Sequence, residues 1–210
     1  MANIGYLNGA SATLATDIGF TAVNFQQRNF TKITQTQSGR SVRVSSATTL
    51  WAGTLQFVPG TQAEYRPIQA FFAKARGPLN DFYVQIPGVS NFIGTEFNGT
   101  LQTNGSHAAG ATSISITGSG AIAGTIIKAG NVIRFTNHDK VYMVVADVTY
   151  PGTGNQTFTI EPPLTTAVPT TNGVTYKNVY FKVFATNDLQ EFQYTNDGLV
   201  AYRVDVQETI

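Results

Sequence analysis

The sequence of 210 residues contains no cysteine, which excludes disulfide bridges, thiolate metal sites and a cysteine nucleophile. Charge is also scarce, because Asp, Glu, Lys and Arg make up 12% of the chain, against about 25% in ordinary soluble domains. A surface with few charges loses little charge hydration when a partner covers it. This composition favours a subunit of a permanent assembly, and it fits an ordinary β domain with threonine-rich strands equally well.

Basic clusters and long apolar runs are absent too. The net charge is +1 and no run of Lys or Arg occurs, so nucleic-acid binding through counterion release has no basis. No apolar stretch approaches the roughly 20 residues that a membrane helix needs. The first residues lack the basic and apolar regions of a secretory signal. We therefore expect a soluble protein that neither binds nucleic acid specifically nor enters a membrane.

What the chain does contain is apolar residues at every second position, a pattern that places them on one face of a strand. Turn residues separate these segments at short intervals. The fold class is therefore predicted to be mainly β. Strands are predicted at 41–46, 51–57, 82–86, 113–117, 132–136, 141–148, 157–160, 179–185 and 200–206.

One helix is predicted after the strand at 51–57. Thr61 and Glu64 have the spacing of a capping box, and Gly77 supplies a stop. Pro67 lies inside this segment and is expected to kink the helix or to split off its first turn. The helix and the strands together supply the predicted core anchors, which are Trp51, Phe57, Phe71, Phe82, Phe181 and Tyr202.

Composition changes between about residues 87 and 172, where Gly, Ser, Thr and Asn dominate. Strong strands precede and follow this stretch, so it is predicted to be a β module inserted between strands of one sheet. The predicted organisation is an N-terminal arm (1–19), one domain formed by 20–87 with 173–210, and the inserted module (88–172).

No constellation of catalytic residues stands out. The two histidines, His107 and His138, lie in no nucleophile or metal-binding pattern, and a pair of catalytic carboxylates would need a proximity that sequence does not show. Residues 118–123 match a dinucleotide-binding fingerprint, but the β-branched residues that follow favour a strand over the required helix. We predict no catalytic, cofactor-binding or metal-ligating residue, and no enzymatic activity.

The order of several short motifs is more informative than any one of them. The series is Ser38-Gly39-Arg40, residues 51–55, Glu64-Tyr65, residues 71–77, residues 81–84, Ile86-Pro87, residues 129–135, residues 140–142 and a closing alternating strand at 199–207. In this order they resemble phage distal tail proteins of the type that carries an inserted small β-barrel. The resemblance covers most of the chain beyond residue 20.

The resemblance implies a split β-barrel with one flanking helix, related to tail-tube subunits, and an inserted OB-like barrel. It implies a homo-hexameric ring in the virion, assembled in the host cytoplasm. Such a ring joins the tail tube protein to the baseplate hub or tail fibre proteins and lets DNA pass through its lumen. The family has no catalytic residues to transfer to this chain, and a near-neutral charge suits a channel that must not retain DNA.

Two other classes of function remain open from the sequence. A carbohydrate-binding module or adhesin is the alternative, since an exposed Tyr142 or Tyr150 in the inserted module would offer a ring on which a sugar stacks. A wall-degrading hydrolase is the third class, which the missing catalytic motifs disfavour.

Overall fold

The computed structural model describes residues 20–94, 99–119, 124–150 and 154–210, so the predicted N-terminal arm lies outside the described residues. The prediction of a mainly β chain is confirmed. The strands are β1 Phe20–Gln35, β2 Ser41–Phe57, β3 Gly60–Thr61, β4 Phe82–Gln85, β5 Thr100–Thr103, β6 Ser113–Ser119, β7 Thr125–Ile127, β8 Val132–Phe135, β9 Val141–Val144, β10 Val148–Tyr150, β11 Asn155–Glu161, β12 Gly173–Thr175, β13 Tyr180–Ala185, β14 Phe192–Tyr194 and β15 Leu199–Glu208.

The first structural region is a curled half-barrel sheet with the strand order β1-β2-β15-β13-β4, and β3 and β14 pair with β15. All of these pairings are antiparallel. β2 is one strand of 17 residues, where the sequence predicted two separate strands. Its partner β1 was not predicted, and the two form a long hairpin.

The α-helix α1 (Gln62–Ala75) confirms the predicted helix, and a short 3₁₀ helix (Gly77–Leu79) follows it. Glu64 accepts hydrogen bonds from the amide nitrogen of Thr61 at 2.7 Å and from its hydroxyl at 2.8 Å. The predicted split at Pro67 is wrong, because the helix is continuous through this residue. Proline removes only one backbone hydrogen bond here, and the buried Tyr65 and Ile68 hold the helix against the sheet on either side of it.

The apolar face of α1 covers the concave face of the sheet, and aromatic rings fill the space between them. All six predicted core anchors are buried there. Edge-to-face contacts link Phe71, Phe72 and Phe82 at 5.3–5.7 Å between ring centroids. The Phe57 and Tyr202 rings continue this cluster at 5.6 Å. Paired rings of this kind add to the burial energy of the sheet.

The second region is a closed barrel with the strand order β11-β6-β5-β12-β8-β9, in which β9 also pairs with β11. Its first strand begins at Thr100 and its last strand ends at Thr175. The strand predicted at 141–148 is two strands, β9 and β10, and β10 pairs with β7 outside the barrel. Residues 120–123 of the fingerprint lie outside the described residues, and the strand β7 follows them within the stretch that a dinucleotide-binding helix would span.

The two regions meet at a polar junction. The indole nitrogen of Trp51 donates a hydrogen bond to the carbonyl oxygen of Val141 at 3.4 Å. Beside it, the ammonium of Lys140 from the barrel forms an ion pair with the carboxylate of Glu208 from β15, and both side chains are buried. Val141 also packs into the core of the sheet, so the barrel covers part of that core.

Candidate interaction surface

The hairpin of β1 and β2 extends far beyond the sheet. β15 pairs with β2 only between Ala52 and Gln56, so the part of β2 before this segment is paired with β1 alone. We call residues 28–45 the arm. Ten residues of strand span about 30 Å, which gives the arm a reach comparable to the width of a small domain.

The arm carries large apolar side chains that no other described part of the chain covers. Ile33 and Val44 are each 63% exposed, and Phe30 and Val42 are also exposed. Exposed apolar residues on an unprotected strand pair form a surface that associates readily with another chain. The projecting hairpin is therefore a candidate binding element. Without a partner it leaves apolar side chains exposed to water, and their burial contributes nothing to the stability of the fold.

The arm is also basic. Arg28, Lys32, Arg40 and Arg43 lie on it, whereas no Asp or Glu occurs between residues 20 and 63. The Arg28 guanidinium lies over the Phe30 ring at 5.4 Å, a cation–π contact that orders both side chains. The overall charge of +1 therefore conceals a strongly uneven distribution, which composition alone does not reveal.

A tight turn fixes the tip of the arm. The amide nitrogen of Thr36 donates to the carbonyl oxygen of Arg40 at 3.0 Å, and that of Gly39 donates to the Thr36 carbonyl oxygen at 2.9 Å. Gly39 has φ 77°, a left-handed conformation that glycine adopts without strain. The arm is thus a hydrogen-bonded ribbon along its length, with a defined direction.

A second surface lies on the outer face of the sheet. It is a groove of about 700 Å³ between the loop before β14 and the outward-facing residues of β2 and β15. We call it the acidic groove, because three carboxylates and one guanidinium line it. Its lining includes Gln56, Asp188, Leu189, Glu191, Arg203 and Asp205.

Charges within the acidic groove are only partly neutralised. Asp205 accepts a hydrogen bond from the Thr54 hydroxyl at 2.5 Å and lies 3.5 Å from the Arg203 guanidinium. Asp188 and Glu191 are exposed on the loop that forms the wall of the groove. The groove therefore keeps a net negative charge that is open to solvent.

The histidines occupy structural positions. The Nε2 atom of His138 is 2.8 Å from the Tyr142 hydroxyl, which is 3.0 Å from the Thr165 hydroxyl. Burial lowers the pKa of His138, so its ring is neutral at pH 7. His107 lies at an isolated bridge to Val168. In the parts of the chain that the structure describes, no group of three or more His, Cys, Asp or Glu residues is placed to hold a metal ion.

The prediction that Tyr142 or Tyr150 is exposed is wrong, since both are buried. The Tyr150 hydroxyl donates to the backbone carbonyls of Gly118 and Gly154 at 3.0 and 3.1 Å. The two rings serve the barrel core and its loops, so neither is available for stacking against a sugar.

The buried Lys140–Glu208 pair resembles a functional site in its chemistry but is fully satisfied. Glu208 also accepts hydrogen bonds from the backbone nitrogens of Trp51 at 3.1 Å and Val141 at 3.0 Å. Lys140 donates to the Thr49 carbonyl oxygen at 2.5 Å. Burial lowers the pKa of Lys140 and raises the pKa of Glu208, while their mutual attraction opposes both shifts. Both side chains are buried and bonded to groups of the sheet and the barrel, so the pair acts as a structural connection.

No protein-family model matches the sequence, and no curated protein matches it either. Within the described ranges, no helix is both long and apolar enough to cross a membrane. The arm and the acidic groove are the two candidate interaction surfaces of the described residues.

Proposed function

We propose that this protein is a structural subunit of a phage tail tip or baseplate, that it is not an enzyme, and that six copies form a ring joining the tail tube to the baseplate hub. The observation that carries the proposal is the arm. It is a basic ribbon with exposed apolar side chains, and contact with another protein surface would remove these apolar side chains from water.

The order of motifs along the chain supports the assignment to distal tail proteins. In this proposal the curled sheet with α1 is the split β-barrel of a ring-forming domain, and the closed barrel is an inserted OB-like module carried on its outside. A sheet with one face covered by a helix, interrupted in the chain by a closed barrel, suits that organisation.

The remaining parts of the proposal follow from a ring of this type. Its neighbours are the tail tube protein on one side and the hub or tail fibre proteins on the other. DNA passes through the lumen without specific binding, and the protein resides in the virion after assembly in the host cytoplasm. The low overall charge of the chain supports a channel wall that does not retain DNA.

Electron microscopy of the purified protein, together with light scattering across a concentration series, tests the proposal. We expect sixfold rings with a central hole, or pairs of stacked rings. A variant with Ile33→Ser and Val44→Ser removes apolar surface from the arm and is expected to yield monomers. Leu79→Ser is the matched control, because Leu79 is exposed outside the arm, and its rings are expected to persist.

A protein that remains monomeric alone and in the presence of tail-tube protein contradicts the proposal. Glycan binding by such a monomer would support the carbohydrate-binding alternative instead. If rings persist in the arm variant, the proposed ring stands, but the arm is not its main contact.

A further inference from the structure

We infer that the acidic groove of one copy receives the arm of a second copy. The inference rests on the proposed function, in that it takes the partner of the arm to be another copy of this chain. It adds the surface that the arm binds and the direction in which copies join.

Charge is the first reason for this pairing. The arm has four cations and no carboxylate, while the groove has three carboxylates and one guanidinium. Bringing the two together replaces like-charge crowding on each surface by opposite-charge pairs. Such pairs select the partner and its orientation more than they add affinity.

Apolar contacts supply the second reason. Leu189 in the wall of the acidic groove is 80% exposed, and the arm presents the exposed Ile33 directly across from Arg43, on the same face of the ribbon. A volume of about 700 Å³ lies within the range of about 300–1,000 Å³ that binding pockets for compact ligands occupy. The groove can thus hold a few side chains from a narrow ribbon, whereas a whole domain face would not enter it.

The arm does not reach the groove of its own chain. Gln56, which lines the groove, lies at the end of β2, and Arg43 of the arm is 13 residues earlier on the same continuous strand. That separation corresponds to about 40 Å along the strand. The arm points away from its own groove, so the contact is intermolecular.

An intermolecular contact between two different surfaces is heterologous, and two joined copies together keep one free arm and one free groove. Repetition of the contact produces a closed ring or an open filament, depending on the rotation between copies. The proposed ring can therefore be built from repeats of this one contact, with no other interface.

Charge reversal tests the inference with the full-length protein. The arm variant carries Arg40→Glu and Arg43→Glu, and the groove variant carries Asp188→Lys and Glu191→Lys. Each is expected to raise the protein concentration needed for assembly roughly tenfold or more, because exposed attractive pairs become repulsive. Lys74→Glu and Glu161→Lys are the controls on exposed residues outside both surfaces, and they should assemble like the wild type.

Mixing the two variants gives the sharpest result. The intact arm of the groove variant fits the intact groove of the arm variant, and the reversed arm fits the reversed groove, so sedimentation should show that the mixture assembles at concentrations where neither variant assembles alone. Combining all four substitutions in one chain restores opposite charges and should restore assembly. Circular dichroism verifies folding, and Glu191→Lys alone replaces the groove variant if the double substitution unfolds it.

The outcomes separate this inference from the proposed ring. Rings that form normally in both variants would overturn the contact between arm and groove and leave the ring standing. Open filaments that both variants abolish would support the contact and contradict the ring. Wild-type protein that stays monomeric up to about 1 mM, far above the concentrations at which specific protein contacts form, would overturn the inference.

Discussion

The curled sheet and the closed barrel differ in how they cover their strands. The sheet relies on α1 and on a cluster of aromatic rings for its concave face. The core of the barrel is instead largely aliphatic, with residues such as Ile114, Ile116, Ile133 and Ile160. A closed barrel satisfies its own edges, whereas an open sheet leaves an edge and an outer face exposed. The sheet is therefore the region that has surface left for assembly.

The junction between the regions sharpens this contrast. Trp51 and Glu208 belong to the sheet, but both make hydrogen bonds to the barrel. The barrel therefore buries part of the core of the sheet. Replacing 92–172 by a short linker would expose these buried groups, so the curled sheet depends on the barrel for part of its stability.

Trp51→Ala is expected to have the largest effect among the changes that separate the two regions. Emptying a large aromatic site costs about 3–5 kcal/mol. The upper end applies here, because Trp51 stacks on Phe25 at 5.5 Å, packs edge-on against Phe181 and bonds to the barrel. Urea denaturation followed by circular dichroism measures the loss. An unfolding free energy equal to that of the wild type would contradict the observed burial of Trp51.

Lys140→Met breaks the buried ion pair and should lower the unfolding free energy by about 3 kcal/mol, since it leaves a buried carboxylate without its cation. Adding Glu208→Gln in the same chain should recover part of this loss, because the amide removes the buried charge and keeps an acceptor for one of the two backbone nitrogens that Glu208 binds. The matched control is Lys128→Met, which removes an exposed pair with Asp147 of 2.7 Å and should change stability by less than about 1 kcal/mol.

Equal effects of Lys140→Met and Lys128→Met would show that the junction does not depend on the buried pair. The two substitutions remove the same functional group, so the comparison isolates burial as the cause.

Ile116→Val tests the barrel by itself. Ile116 is fully buried in the barrel core, and the loss of one methyl group from such a site costs about 1 kcal/mol. Hydrogen exchange followed by mass spectrometry should show faster exchange in barrel strands and unchanged exchange in β15 and β13. Faster exchange throughout the chain would mean that the two regions unfold as one unit. Val145→Ala on the exposed surface is the control.

The smallest expected effect concerns the start of α1. Hydrogen bonds from the Thr61 amide and hydroxyl lower the pKa of Glu64 below its usual value of 4.5. A carboxyl group whose pKa is lower in the folded state stabilises the fold at pH values above its pKa in the unfolded chain. This stabilisation disappears as the pH falls through its pKa in the folded state. Stability should therefore decline below about pH 4.5 by slightly more in the wild type than in Glu64→Gln. Parallel acid titration curves for the two proteins would contradict this role of Glu64.

The sequence predicted elements wherever local pattern and tertiary burial agree. The capping residues Thr61 and Glu64 located α1, and alternation located β15 and β13, because one face of each is buried and the other is not. The core anchors followed from the same alternation, since large apolar residues on a half-buried strand face inward.

β1 escaped prediction for the opposite physical reason. Most of its length beyond Gln27 is exposed on both faces, so no alternation of apolar and polar residues marks it. The short barrel strands, such as β5 and β12, contain too few residues to show a period. The acidic groove combines Gln56 with residues more than 130 positions later in the chain, and only tertiary structure brings them together.

The chain has one tryptophan, and it lies 3% exposed at the contact between the two regions. Its indole is hydrogen-bonded across that contact and stacked on a ring of β1. The intrinsic fluorescence of the protein therefore reports on a single location. A red shift of the emission would signal entry of water between the sheet and the barrel, so any separation of the two regions can be followed in real time without a label.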